Sequence, residues 1–424
     1  MKRIAVIGAG VSGLTVANLL NKENAVTIFE KANHPGGLIH CKRVNGNLFH
    51  TCGGHVFNTK NQNVLDWFWR MFNRENEFVR AERNSVIFFP NGQIISYPIE
   101  NFVYLLNEKI QRDIIRDLLE IEKSKLSKNQ KDKDFQSFLQ KQFGNPLYHL
   151  YFEPYNNKVW RRPLSNVPIE WLEGKLPMPD VEEIIYNNFN RVAEKKFVHS
   201  SFYYEKRNGS QFIADRLADG LTIFYNTEIK RIVRIENRWI INGEPFDQVV
   251  FCGNIKDLPQ ILTDIDLFSP SFQYSQSINA LQYHGTTSVF CEIDPNPYSW
   301  IYLPDQRYRA HRIICTGNFA SSNNSTKRLT ATIEFTDNIS PQDILEDIKK
   351  MPLNPQYITH QFNPFTYPIQ QYNTREMITS LKKRLADYSF FLTGRFADWE
   401  YYNVDVAMSA AMNMVKNQMG CHSY

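Results

Sequence analysis

The chain has 424 residues, 42% of them hydrophobic, and carries 30 Phe, 21 Tyr and 7 Trp. That length suits two or three compact units, because single hydrophobic cores stop growing near roughly 250–300 residues. A net charge of +4, with acids and bases interspersed, argues against a nucleic-acid partner but leaves room for a local basic pocket around an anionic ligand.

Lys2 and Arg3 precede an apolar run that imitates a secretory leader, yet glycines interrupt it and no cleavage pattern follows before Glu23. No stretch offers the ~20 uninterrupted apolar residues that would span a bilayer. Residues 2–8 read as a strand, followed by Gly8-x-Gly10-x-x-Gly13, a helix to Leu20 and a second strand, AVTIFE, ending at Glu30. This βαβ unit with an acid closing its second strand is the pattern of a dinucleotide site. Gly8 permits the tight turn, Gly10 lets backbone approach a pyrophosphate, and Gly13 lets the helix pack on the strand. The helix start offers unpaired N–H groups to the phosphates.

From Asn61 to Ser201 the apolar spacing predicts mainly helix, with EIEKSKLSKNQKDKD as a solvated helix end and loop. The segment NPLYHLYFEPYNNKVWRRPLSNVP is unusually dense in Tyr, Trp and Arg for a buried helix. LTIFYNTEIKRIVRIENRWIINGEPFDQVVFCGN predicts successive strands with an Asn-Gly turn, the last (QVVFCG) apolar on both faces like a central parallel strand. More aromatic-rich strands follow from Ser277 to Phe335, and GRFADWEYYNVDVAMSAA repeats the strand-to-helix pattern near the end of the chain. The six cysteines (Cys41, Cys52, Cys252, Cys291, Cys315, Cys421) are scattered without a CxxC. They suggest neither a zinc site nor a disulfide framework, and a reducing cytoplasm is the simpler setting.

Four segments together resemble the flavin-dependent UDP-galactopyranose mutase family, within the wider amine oxidase and protoporphyrinogen oxidase group. They are the Gly8–Gly13 turn with Glu30 and the HPGGL turn; GGHVFNT (Gly53 to Thr59); YNNKVWRRPLSNVP; and GRFADWEYYNVDVAMSAA. The first is generic to the flavin group, whereas the third and fourth favour the mutase branch. The resemblance implies an α/β fold: a Rossmann-like, three-layer FAD-binding domain with a parallel sheet, a helical insertion, and an antiparallel sheet domain over the flavin. It divides the chain into a discontinuous cofactor domain (1–60, 202–276 and 385–424), a mainly helical insertion (61–201) and a substrate-side β region (277–384).

The same resemblance implies cofactor contacts at Gly8, Gly10, Val11, Ser12, Gly13, Glu30, Lys31, Gly37, Leu38, Gly54, His55, Gly394, Arg395 and Asp405. It implies substrate contacts at Tyr155, Trp160, Arg162, His284, Tyr298 and Tyr367, and catalytic roles for His55, Asn58, Arg162, Tyr298 and Tyr367. Arg161 stands where the family has glycine, so the sequence leaves open which of Arg161 and Arg162 points inward. Asn58 replaces a second histidine and His284 falls near a family arginine, and both departures weaken the assignment to UDP-galactopyranose itself. The implied activity is pyranose–furanose interconversion of a nucleotide sugar, for polysaccharide precursors, through reduced FAD. An FAD-dependent oxidoreductase of the wider group is the alternative, and a flavin-binding scaffold without activity is the third reading. NAD(P)H or another reductant, and a homodimer, are compatible with the sequence; no metal site is expected.

Overall fold

A computed structural model describes residues 1–125, 134–169, 179–193, 200–262, 268 and 273–420. The chain opens with β1 (Arg3–Ile7), α1 (Val11–Leu20) and β2 (Ala25–Phe29), then supplies β3 (Ser85–Phe88) and β4 (Ile94–Ser96). Helix α2 (Glu153–Trp160) and strands β5 (Thr222–Phe224) and β6 (Gln248–Phe251) follow. Next come β7 (Gln282–Ile293), β8 (Trp300–Tyr302), β9 (Arg312–Ile314), β10 (Leu329–Thr336) and β11 (Gln356–Ile369). Strand β12 (Phe390–Leu392) and helix α3 (Val404–Met419) come last.

Five strands form a parallel sheet in the order β12-β6-β1-β2-β5. Val6 stands opposite Val250 on one side and Ile28 on the other, and Val250 opposite Phe391. Because side chains alternate across a strand, Ile4, Val6, Ile28, Val250 and Phe391 face one core with Leu14 of α1 and Met408 and Ala411 of α3. Ala5, Ile7, Val249, Phe251 and Phe390 face the other, with Trp239, Phe246, Leu381 and Leu385. Both faces are covered, which accounts for the unbroken apolar runs IAVI and QVVF. The result is the three-layer α/β arrangement with a parallel sheet that the sequence predicts.

The second sheet has seven strands in the order β11-β7-β10-β9-β8-β3-β4. Its pairings are antiparallel except β8 with β3. Two of these strands, with Phe78–Glu82, lie inside 61–201, where the spacing predicts mainly helix. The reason is local: Phe89, Pro90, Asn91 and Gly92 close a tight turn, with Gly92 at φ 79° and the Phe89 N–H donating to Gln93 O at 3.0 Å. Val86 and Ile87 thereby bury on opposite faces of the sheet. The stretch 126–133 of the charged segment, and Cys421, lie outside the described residues. The other five cysteines are unpaired, and among the described residues no helix is long and apolar enough to cross a membrane.

Candidate functional site

The carboxyl ends of β1, β6 and β12 converge. Gly8, at φ 104°, leads into α1 beside the Cys252 carbonyl, and a β-carbon on Gly394 (φ 118°) would lie 3.2 Å from Ser12 Oγ. A β-carbon on Gly13 would sit 2.0 Å from the Gly8 carbonyl oxygen, so only glycine allows this helix to approach this strand. At Gly10 the same construction meets no protein atom within 4 Å. Gly10 is also the N-cap of α1 and no side chain caps that end, which leaves the N–H groups of the first turn, from Val11, Ser12 and Gly13, directed outward. Glu30 ties the turn together, accepting from Ala9 N–H at 2.6 Å and Ala32 N–H at 2.8 Å. The HPGGL turn docks on it, with Gly36 N–H donating to Ala9 O at 2.8 Å and Gly37 lying against Gly10. Lys31 is exposed, and Leu38 half-buried.

Beyond this cradle lies His55, whose Nε2 is buried without a hydrogen-bond partner. Burial first, and the Arg395 guanidinium second, push its pKa down to about 4, so the ring is neutral at pH 7. Gly54 is fixed as glycine by Ile314, which a β-carbon would approach to 2.7 Å. Asn58 donates from Nδ2 to the Ser201 carbonyl at 2.8 Å, which fixes its amide toward the backbone. Arg395 donates to Tyr402 O at 3.2 Å and lies over the Tyr401 ring at 4.2 Å, and Tyr401 in turn stacks on Tyr367 at 5.5 Å. Its Nε is buried and has no protein acceptor. Asp405 sits in the first turn of α3, another helix start without a side-chain cap.

The sheet supplies the opposite wall. Tyr302, Arg312 and Glu334 are cross-strand neighbours in one row of β8, β9 and β10. Arg312 is ion-paired through Nε to Glu334 and donates from Nη2 to the Tyr367 hydroxyl at 3.1 Å. Glu334 also accepts the Gly53 N–H at 2.8 Å, which joins the sheet to the GGHVFNT loop. Burial alone would raise the Glu334 pKa, but the adjacent Arg312 overrides this and holds it well below the usual carboxylate range. Burial raises the Tyr367 pKa, partly offset by Arg312, so the phenol stays protonated. Tyr155 of α2 packs edge-on against Tyr302 at 5.5 Å and is likewise pushed well up by burial.

Helix α2 ends at Arg161 in a left-handed conformation (φ 52°, ψ 31°). Arg161 is exposed and lies 3.8 Å from Asp337, whereas Arg162 is half-buried, donates to Gln282 Oε1 at 2.6 Å and keeps a buried Nε without an acceptor. Arg162 is therefore the more buried of the two arginines: its partner Gln282 and His284 stand opposite Ile369 and Tyr367 on β11, and Ile369 faces the core beneath α2. Two of the expected substrate residues are placed differently. His284 has both ring nitrogens engaged, Nε2 with the Trp160 carbonyl at 2.8 Å and Nδ1 with Asp337 at 3.0 Å, so it braces the end of α2. Tyr298 packs edge-on against Phe88 in the core on the other face of the sheet, because the loop before β8 carries it past the edge of the cleft. Trp160 is only 5% exposed and packs within the core beneath α2. Arg312 and Glu334 belong to the cluster and carry no motif, whereas Tyr401 lies within the GRFADWEYYNVDVAMSAA segment without having been singled out there.

These residues fit a flavin cofactor. An uncapped helix start and a glycine whose β-carbon position is open form a pyrophosphate cradle, and buried unpartnered atoms on His55 and Arg395 lie beyond it. Comparison with known proteins agrees. A family model described as an NAD(P)-binding Rossmann-like domain matches residues 6–74. The chain is 28% identical over 268 residues to a dTDP-fucopyranose mutase of Escherichia coli, an alignment covering 60% of this chain and 64% of that enzyme. It is 22% identical over 421 residues to a UDP-galactopyranose mutase of Mycoplasma genitalium, covering 96% of this chain and 92% of the other. Among solved structures, a reduced UDP-galactopyranose mutase superposes with a TM-score of 0.85 at 19% identity, covering 100% of this chain and 95% of that one. A putative protoporphyrinogen oxidase from Exiguobacterium gives 0.73 at 14% identity, with 98% of both chains covered. The chain resembles the UDP-galactopyranose mutases, and its fold is shared with oxidases of the wider group.

Proposed function

We propose that this protein is an FAD-dependent nucleotide-sugar mutase that interconverts the pyranose and furanose forms of a UDP- or dTDP-linked sugar. The observation that carries the reading is Arg312 donating to the Tyr367 hydroxyl beside Tyr302 and Tyr155, in a group that the Arg395–Tyr401–Tyr367 stack ties to the Gly394 turn. In this reading residues 1–60, 202–276 and 385–424 hold FAD, while 61–201 and 277–384 build the substrate side. Reduced flavin supplies an electron-rich ring nitrogen for attack on the anomeric carbon. Arg312 and Arg162 hold the diphosphate as it leaves, since a guanidinium matches phosphate oxygens with paired donors. Tyr367 and Tyr155 stay protonated because of their burial and donate to the charge that develops. His55, neutral at pH 7, would stand beside the flavin without adding a charge that would compete for the diphosphate. Five unpaired cysteines suit a cytoplasmic setting.

One observation favours the runner-up, an FAD-dependent oxidoreductase: Arg312 is already neutralised by Glu334, which weakens its pull on a dianion. Calorimetric titration separates the two. The mutase reading expects UDP or dTDP to bind the FAD-loaded protein below millimolar concentration and Arg312→Ala to weaken that binding at least tenfold. A wild type that ignores both nucleotides, or oxygen uptake with an amine or sugar alcohol, favours the oxidoreductase.

A further inference from the structure

Lys158 is 8% exposed, with its ammonium inside the protein. It donates to three backbone carbonyls: Leu303 at 2.6 Å, Asp305 at 2.5 Å and Ala310 at 3.2 Å. Three N–H groups meeting three acceptors leave no donor over. All three carbonyls belong to the β8–β9 connection, just past the point where Leu303 N–H donates to His311 O. Leu303 follows Tyr302, and Ala310 lies two residues before Arg312. The nearby carboxylates are occupied elsewhere: Asp305 by Arg307, and Asp347 by the N–H groups of Arg309 and Ala310. The ammonium is thus spent on backbone geometry. On the same helix, one turn earlier, Tyr155 meets Tyr302. At the end of the helix, His284 holds the Trp160 carbonyl from β7.

We propose that Lys158 is a positioning residue that pins the β8–β9 hairpin to α2 and so fixes Tyr302, and Arg312 beside it, against Tyr155. The link to ligand binding rests on the nucleotide-diphosphate reading of the cleft; the pin itself does not. Without the ammonium, three carbonyls at the mouth of the hairpin lose their partner, and the hairpin end of the Tyr302–Arg312–Glu334 row is free to shift. A shift of about 1 Å is enough to cost a positioned contact most of its effect.

The groups facing this ammonium define its pH behaviour. Burial lowers the Lys158 pKa to about 8, against the opposing pull of Asp305 and Asp347. His311 is lowered by burial and is neutral above pH 7. Tyr155 and Tyr367 are pushed well up, and Arg312 stays charged. A loss of positioning between pH 7 and 9 therefore belongs to Lys158.

The test uses FAD-loaded wild type, Lys158→Met and, in case that variant fails to fold, Lys158→Gln, with Ile313→Val on the opposite face of β9 as a control for general loosening. Two readouts are taken: hydrogen exchange across 302–312, and UDP affinity from pH 7 to 9. The expected result is faster exchange in the hairpin with the parallel sheet unchanged, and UDP affinity down roughly tenfold. Wild-type affinity should fall above pH 8, and the variants should lack that fall. Ile313→Val should keep wild-type affinity and pH profile. Unchanged hairpin exchange in both Lys158 variants overturns the pin, whatever the nucleotide does. Faster exchange with unchanged affinity and profile overturns its role in the cleft. A wild type that does not bind UDP but shows the exchange difference upholds the pin and refutes the nucleotide reading alone.

Discussion

Replacing Glu334 with glutamine should be among the most damaging single-atom changes available in this protein. The side chain is 1% exposed, ion-paired to Arg312 and accepting the Gly53 N–H at 2.8 Å. Glutamine keeps an acceptor for Gly53 but leaves the largely buried Arg312 cation without its counter-charge. Breaking one side of a buried pair costs about 3–5 kcal/mol, and Arg312, with a side chain 17% exposed, can recover part of that from water. A loss of about 2–4 kcal/mol at pH 7 is expected, read from urea midpoints of FAD-free wild type and Glu334→Gln. The sign of the pH dependence is fixed as well. The folded carboxyl is held below its unfolded value, so the stability it contributes is complete above about pH 4.5 and drains away as the pH falls. The gap between wild type and variant should therefore shrink by roughly 1 kcal/mol between pH 7 and pH 3.5. A gap under ~1 kcal/mol at pH 7, or one that widens in acid, would refute the reasoning about this pair.

Gly10→Ala should leave the FAD-free protein as stable as wild type but bleach the purified protein, because its β-carbon meets no protein atom. Gly13→Ala should destabilise the fold itself by forcing α1 off β1; absorbance at 450 nm and thermal melts would separate the two, and equal effects would contradict the cradle. Arg161→Gly should change stability by no more than about 0.5 kcal/mol, since relief of the left-handed strain offsets the loss of an exposed ion pair. It should also leave UDP affinity intact, whereas Arg162→Ala weakens it at least tenfold; the reverse order in a titration would mean the wrong arginine faces inward. The protein should lose stability between pH 6.5 and 4, because His50 and His55 are depressed by burial to about 3 and about 4 and take up protons only when unfolded. Denaturant melts of His50→Gln that show the same acid slope as wild type would remove His50 from that account.

The cofactor cradle was legible because its signals are local. Gly8, Gly10, Gly13 and Glu30 lie within one βαβ unit, and Gly13 answers a steric demand made by Gly8 only five positions away. The convergence of Gly394 with Gly8 was legible only through the resemblance, since nothing in either segment points to the other. The sheet side of the cleft was harder to read. Arg312 and Glu334 become a pair through the register of β9 on β10, and a shift of one residue would have sent them to opposite faces. Neither AHRII nor ATIEF carries that register in its composition. His284 shows the converse case: an ionisable residue near the expected place turned out to have both nitrogens occupied by the fold. Tyr298 carried an apt local motif, yet packs on Phe88 on the other side of the sheet. The strands at 85–96 were a missed turn, since Pro90, Asn91 and Gly92 stood in the sequence as a hairpin signal.

The central claim is that this cleft isomerises a nucleotide sugar without net oxidation. It is tested most directly by incubating FAD-loaded protein anaerobically with UDP- and dTDP-linked hexopyranoses, with and without dithionite, and following the anomeric protons by NMR. The account predicts furanose signals that grow only in the reduced samples and reach an equilibrium ratio approached equally from the furanose side. Unchanged pyranose signals in every reduced sample, or an oxidised sugar product accompanied by flavin reduction, would contradict it.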